Sequence, residues 1–159
     1  MISRQKIDFD NLLKVVRLSV TGEQKDFVAT NTESLLEAYV TLSQGHVALP
    51  FAIVEQGLPI GFVMLGYGTS GYADEPSVTQ GNYNLWRFMI DQNYQGKELG
   101  RAALSVVLDY VRTLPCGKAE SCWLSYEPEN LVAKKLYASM GFKENGEKDG
   151  EELVAVLQL

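Results

Sequence analysis

The run YNLWRFMI, Tyr83–Ile90, is apolar at most of its positions. A turn containing two glycines follows it. Next comes Leu99–Leu114, in which Leu99, Ala103, Val106, Val107 and Tyr110 recur at threes and fours, and then a second strand-like run, AESCWLSY. The spacing predicts an amphipathic helix between two strands, ended by Pro115 and Gly117. Strands joined through a helix lie parallel, because the crossover returns the chain to the same end of the sheet. A near-continuous apolar run suits a strand buried on both faces. Tyr83–Ile90 is therefore expected in the middle of a sheet, and this strand–helix–strand unit limits the remaining topology.

The other elements are arranged around it. Ile2–Ile7 reads as a first strand. Asn11–Leu18 reads as a helix capped by Asp10, and Thr32–Leu42 as a second helix, capped by Asn31 or Thr32 and stopped at Gly45. PFAIVEQGLPIGFVMLGYG holds two apolar runs around Gln56-Gly57-Leu58-Pro59, a hairpin pattern. TSGYADEPSVTQGN is a polar loop, PENLVAKKLYASMGF a short helix closed by Gly141, and EELVAVLQL a final strand. The order is strand, two helices, three strands, helix, strand, helix, strand. This predicts a mixed α/β fold with the fourth and fifth strands parallel. No repeat, linker or low-complexity segment interrupts it, so residues 1–159 are expected to form a single domain.

Composition removes several functional classes. The formal net charge is −6 and no basic patch stands out, which argues against a nucleic-acid partner. The acidic balance fits a cationic small molecule, and equally an ordinary acidic cytosolic protein. Cys116 and Cys122 form no CxxC and read as reduced thiols. His46 is the single histidine, so no His/Cys metal cluster is expected. MISRQKIDFD lacks the apolar core of a signal peptide, and no run is long enough to span a membrane. A cytoplasmic protein without membrane contact is expected.

DQNYQGKELGRAAL, residues 91–104, joins the central strand to its helix. A helix N-terminus carries unpaired N–H groups and a partial positive charge, and so attracts anions. Gly96 and Gly100 let backbone approach a ligand, while Lys97 and Arg101 add positive charge. Neither GxGxxG nor the Walker sequence is present, since there are only two glycines and Glu98 follows Lys97. Taken alone, the stretch is equally a glycine-containing loop entering a helix.

Two motifs together carry a resemblance. Gln95-Gly96-Lys97-Glu98-Leu99-Gly100, followed by Arg101-Ala102, resembles the Gln/Arg-x-x-Gly-x-Gly/Ala signature of the GNAT acetyl-CoA-dependent N-acetyltransferases. ENLVAKKLYASMGF resembles that family's closing motif and lies about 35 residues downstream. The match covers roughly residues 47–159. Within the family, FMIDQNYQGKELG and QKDFVATNTESLLEAY look most like the bacterial spermine/spermidine acetyltransferase group. The resemblance implies a central, mostly antiparallel sheet of about six or seven strands with about four helices. It also implies acetyl-CoA as cosubstrate, no metal, and a small-molecule amine, a polyamine above all, as partner; a homodimer is left open.

Carried onto this chain residue by residue, the resemblance makes Tyr137 the general acid for the coenzyme thiolate. Gln95, Gly96, Lys97, Glu98, Leu99, Gly100, Arg101 and Ala102 would surround the pyrophosphate, with Lys134 or Lys135 reaching a coenzyme phosphate. Asn130 would contact the pantetheine arm, or cap its helix, or both. A backbone N–H near Met89 or Ile90 would meet the oxyanion where the fourth and fifth strands part. Glu98 departs from the family, which has glycine there. A left-handed backbone at that position would cost a glutamate roughly 1 kcal/mol.

The base that deprotonates the amine is not evident. Glu33 and Glu37, at i and i+4 on one helix face, Asp74 and Glu75 in the polar loop, and an ordered water are all candidates. The same four carboxylates could hold a polyamine or simply be solvated. Trp86 could cover a substrate channel or fill the core. Strand alternation sends Tyr83 and Trp86 to opposite faces. Two rival functions stay open: a non-catalytic acyl-CoA sensor, and acetylation of a protein N-terminus or lysine.

Overall fold

The computed structural model describes residues 1–159. Seven strands form one sheet: β1 (Ile2–Lys6), β2 (Val47–Glu55), β3 (Leu58–Tyr67), β4 (Tyr83–Ile90), β5 (Ser121–Tyr126), β6 (Lys143–Asp149) and β7 (Glu152–Gln158). Their spatial order is β1-β2-β3-β4-β5-β7-β6. Every neighbouring pair is antiparallel except β4 and β5, which are parallel as the strand–helix–strand pattern requires. The helices are α1 (Leu12–Arg17), α2 (Asn31–Ser43), α3 (Leu99–Arg112) and α4 (Leu131–Ser139).

Both faces of the sheet are covered. On one, Ala103, Leu104, Val107, Leu108 and Val111 of α3 pack with Ile53, Val63, Leu65, Tyr83, Leu85 and Leu124, and Leu136 and Tyr137 of α4 join them. On the other, Val15 of α1 and Ala38 of α2 pack with Ala52, Val54, Phe62, Met64 and Met89. The β2–β3 hairpin turns through Gln56 (φ 50°) and Gly57 (φ 77°) alone, a two-residue turn with both central residues left-handed, so Leu58 and Pro59 already belong to β3.

Several boundaries differ from the sequence expectation. The cap of α1 is Asn11 rather than Asp10. Its Nδ2 donates to the Lys6 carbonyl (2.8 Å) and its Oδ1 accepts the Asp8 N–H (3.0 Å), fastening the helix to the end of β1. The cap of α2 is Thr30 rather than Asn31 or Thr32. Thr30 Oγ1 accepts the Glu33 N–H at 3.1 Å, which leaves the buried Asn31 free to donate to the Val15 carbonyl at 2.8 Å. Strand β6 was not expected. KENGEKD is polar and mostly exposed because the strand lies at the sheet edge, paired on one side only, to β7.

The backbone at Glu98 is left-handed, with φ 61° and ψ 7°, immediately before α3. The side chain is exposed and makes no capping hydrogen bond that would offset the strain. Glu98→Gly is therefore expected to stabilise the protein by about 1 kcal/mol, a rise of about 2–4 °C in Tm for a domain of this size. Thermal unfolding followed by circular dichroism checks this, and an unchanged or lower Tm would show that the turn carries no such strain.

Candidate active site

Strands β4 and β5 begin side by side and then part. Only Tyr83↔Cys122 and Asn84↔Trp123 are in register, so the edge of β4 from Leu85 onward has no β5 partner. Strand β5 turns instead to β7, with which it pairs along its whole length, Ser121 to Tyr126. The gap opens into a cleft of about 630 Å³. Its walls are Leu85–Ile90, the Ser125–Glu127 end of β5, the turn into α3 at Gln95, Gly96 and Gly100, one face of α4, and the connection between α1 and α2.

The register between β3 and β4 slips between Met64 and Leu65, so that Trp86 is an extra residue on β4. Alternation breaks there. Tyr83 and Leu85 face α3, and after the bulge Phe88 and Ile90 do so, while Trp86 packs on the α1–α2 side. Tyr83 and Trp86 thus lie on opposite faces, and the bulge aims Trp86 and Arg87 into the same region. Arg87 Nη2 donates to Glu37 Oε1 at 2.9 Å.

The far end of β4 is pinned by Asp91, which is only 6% exposed. Its carboxylate accepts the Ser19 N–H (2.9 Å) and the Asn93 N–H (3.0 Å). Gln95 donates from Nε2 to the Ile90 carbonyl (2.8 Å) and to Gln24 (2.9 Å), tying the turn to both the strand and the α1–α2 connection. Gly96 has φ 77° and open space beside its α-carbon. The first turn of α3 has no side-chain cap, so its leading N–H groups remain available to an anion. Leu99 is half-buried against the core; Lys97, Glu98, Arg101 and Ala102 are exposed.

Tyr137 lines the cleft from α4. Its ring sits 6.1 Å from that of Tyr126 and 5.9 Å from that of Phe142. Burial, and then the charge of Glu152, push its phenol well above the ordinary tyrosine value, so it stays protonated. Tyr126 is pushed up to about 12 by burial and by its hydrogen bond to Glu144 (2.7 Å). Asn130 caps α4 by accepting the Ala133 N–H at 3.2 Å, and it also lines the cleft. Lys134 pairs with Glu144 at 3.5 Å, whereas Lys135 is exposed.

The expected substrate residues divide between two places. Glu33 lines the cleft. Glu37 and Glu75 line a second chamber of about 260 Å³, and Asp74 is exposed and lines neither. Trp86, Arg87, Ser125 and Glu152 line both cavities. The Ser70 N–H (2.8 Å) and hydroxyl both donate to Glu75; these bonds outweigh its partial burial and leave its pKa below the ordinary value. Sequence reasoning missed Asp149 and Glu152, which also wall the second chamber. They flank the turn of the β6–β7 hairpin, and in KDGEELV nothing distinguishes them from solvated surface charge. Burial pushes both carboxyls above their ordinary values.

Comparison with known proteins agrees with this geometry. The profile of the acetyltransferase (GNAT) family matches residues 20–142. The chain is 30% identical over 155 residues to the spermine/spermidine N(1)-acetyltransferase of Bacillus subtilis strain 168, covering 96% of each protein. It matches a probable spermine N(1)-acetyltransferase of B. subtilis subsp. natto to the same extent. Among solved structures, an aminoglycoside acetyltransferase in complex with coenzyme A superposes with a TM-score of 0.77 at 15% identity, over 99% of this chain and 95% of that one. An N-acetyltransferase of Thermoplasma acidophilum bound to coenzyme A superposes at 0.65 and 18% identity, over 100% and 99%. With a parallel β4–β5 pair that splays after two residues, a glycine turn feeding an uncapped helix, and a family match over most of its length, the chain belongs to the GNAT family of acetyltransferases.

Proposed function

We propose that this protein transfers the acetyl group of acetyl-CoA to a primary amine of a polyamine. The early parting of β4 and β5 carries the reading. It leaves a strand edge on which the amide groups of a pantetheine arm can pair like an added strand, and it leads to the α3 N-terminus, where a pyrophosphate can be held. The residues fit such a cosubstrate: Gly96 keeps its approach open, the leading N–H groups of α3 are uncapped, and the exposed Lys97, Arg101 and Lys135 stand on the elements that wall the cleft. Met89 and Ile90 line the cleft where a backbone N–H would meet the developing oxyanion.

Amine acetylation needs a free amine lone pair, a donor for the oxyanion and a proton for the departing thiolate. In this reading Tyr137 supplies that proton. Its phenol is held protonated by burial and by the nearby Glu152 charge, so the acid form is available across the neutral range. Tyr137→Phe keeps the ring and its contacts with Tyr126 and Phe142 but removes the proton. A loss of about 10²–10⁴-fold in kcat is expected, the usual contribution of general acid catalysis, with acetyl-CoA affinity unchanged. Steady-state kinetics together with calorimetry checks this. Undiminished turnover in the Phe variant, with chemistry rate-limiting, would remove Tyr137 from the role.

The polyamine assignment is supported by the Bacillus relatives, by the net charge of −6, and by the carboxylates of Glu33 at the cleft and of Glu37 and Glu75 in the adjoining chamber. A flexible chain of positive charges is held by several spaced carboxylates, each contributing little on its own. Spermine and spermidine should therefore exceed a monoamine of similar length in kcat/KM. Their advantage should shrink between about 0.1 M and 1 M salt, as the Debye length falls from roughly 10 Å to 3 Å. A thiol-release assay on the three amines at both salt concentrations decides it. Equal efficiency, or no salt dependence, would leave a general amine acetyltransferase, and the lack of any amine-dependent thiol release would leave none.

A further inference from the structure

The second chamber adjoins the cleft and shares Trp86, Arg87, Ser125 and Glu152 with it. The charged side chains on its walls are Glu37, Glu75, Asp149 and Glu152 against the single cation Arg87, and Arg87 is already paired with Glu37. Two other wall residues are almost completely buried and unsatisfied. Thr79 is 2% and Trp123 4% exposed, and neither Thr79 Oγ1 nor Trp123 Nε1 has a hydrogen-bond partner. Buried polar atoms without partners are rare in folded proteins and point to a ligand. The Thr79 hydroxyl can accept, and beside carboxylates that suits an ammonium, whereas the unpartnered Trp123 Nε1–H and Arg87 Nε–H only donate and suit an acceptor oxygen.

Building on the reading above, we propose that this chamber receives the acceptor amine and that Glu152 takes the proton from its reacting ammonium. Glu152 is the one carboxylate that lines both cavities. Ser125 Oγ donates to its Oε1 at 3.1 Å, fixing the carboxylate on β7 against the free end of β5. Its charge also acts on Tyr137, so proton acceptor and proton donor flank the same space. Burial and then the neighbouring Glu127 and Asp149 charges raise the Glu152 carboxyl, whereas the Ser125 hydrogen bond and Arg87 lower it. The net upward shift moves it toward the range in which a carboxylate can accept and release a proton near neutrality.

The proton count closes. Glu152 takes one proton from R–NH₃⁺ and later releases it to solvent. The free amine forms the C–N bond as the C–S bond breaks. Tyr137 gives its proton to the sulfur, and the second proton leaving nitrogen restores the phenol. Asp149 and Glu75, which line the chamber but not the cleft, hold distal ammonium groups and do no chemistry.

Four variants separate these roles. Glu152→Gln should lower kcat for spermidine by about 10²–10⁴-fold, abolish the acidic limb of the pH profile and leave acetyl-CoA affinity unchanged by calorimetry. Glu152→Asp retains a carboxylate and should keep the acidic limb at reduced kcat. Ser125→Ala removes an interaction that lowers the Glu152 pKa, so it should shift the acidic limb to higher pH, which a purely structural serine would not do. Asp149→Asn should raise the KM for spermidine severalfold at nearly unchanged kcat. If Glu152→Gln keeps wild-type kcat and the wild-type acidic limb, the inference is overturned while the acetyltransferase reading stands. If the wild-type chain acetylates no amine, both fall.

Discussion

The register of β4 against β5 is the constraint on which the rest of this molecule depends. Two paired residues commit the strands to a parallel arrangement, and the pairing then stops. Backbone N–H and C=O groups left over inside a protein need partners. Here they lie along one edge of Leu85–Ile90, facing a cleft large enough for an extended ligand. The molecule holds this gap open from both sides. Strand β5 commits all six of its residues to β7. The end of β4 is fixed by Asp91, Gln95 and the α1–α2 connection. A sheet zipped along its full length would have the same core and no cleft.

The second organising element is charge. The turn into α3 supplies uncapped N–H groups at the positive end of a helix dipole, while the β6–β7 hairpin brings Asp149 and Glu152 to the other side of the opening. Two like charges about 4 Å apart interact by roughly 4 kcal/mol at an effective dielectric near 20, so carboxylates gathered there favour either protonation or a cation. The shared wall of Trp86, Arg87, Ser125 and Glu152 joins the cleft that reaches the α3 N-terminus to the chamber lined by Glu37, Glu75, Asp149 and Glu152. A bulge in β4 creates that wall by turning Trp86 and Arg87 to the same region.

Much of the fold was legible because its signals are local. Tyr83–Ile90 and the spacing of Leu99–Leu114 specify a buried strand and an amphipathic helix, and the structure places β4 and α3 there. The left-handed backbone at Glu98 was likewise readable, from the glycine that the resembling family carries at this point of the turn, and its φ is 61°. Edge strand β6 was illegible because KENGEKD has no buried face to impose a period. Asp149 and Glu152 were missed for a related reason: they reach the chamber wall because a hairpin folds back beside β5, a contact between residues far apart in sequence that no local pattern encodes. Conversely, Asp74 and Glu75 are sequence neighbours, yet only Glu75 reaches a cavity wall.

The most direct test of the account is a calorimetric titration with acetyl-CoA of the wild-type chain and of Gly100→Glu. A β-carbon at Gly100 would meet only Ile90 and Leu136 at 3.8 and 3.9 Å, ordinary contact distances, so the variant should fold. Its carboxylate would stand in the first turn of α3, where the account places the pyrophosphate. Saturable binding by the wild type and none by the folded variant is the predicted result. Equal affinity in the two proteins would contradict it, because the cosubstrate could not then lie over the α3 N-terminus.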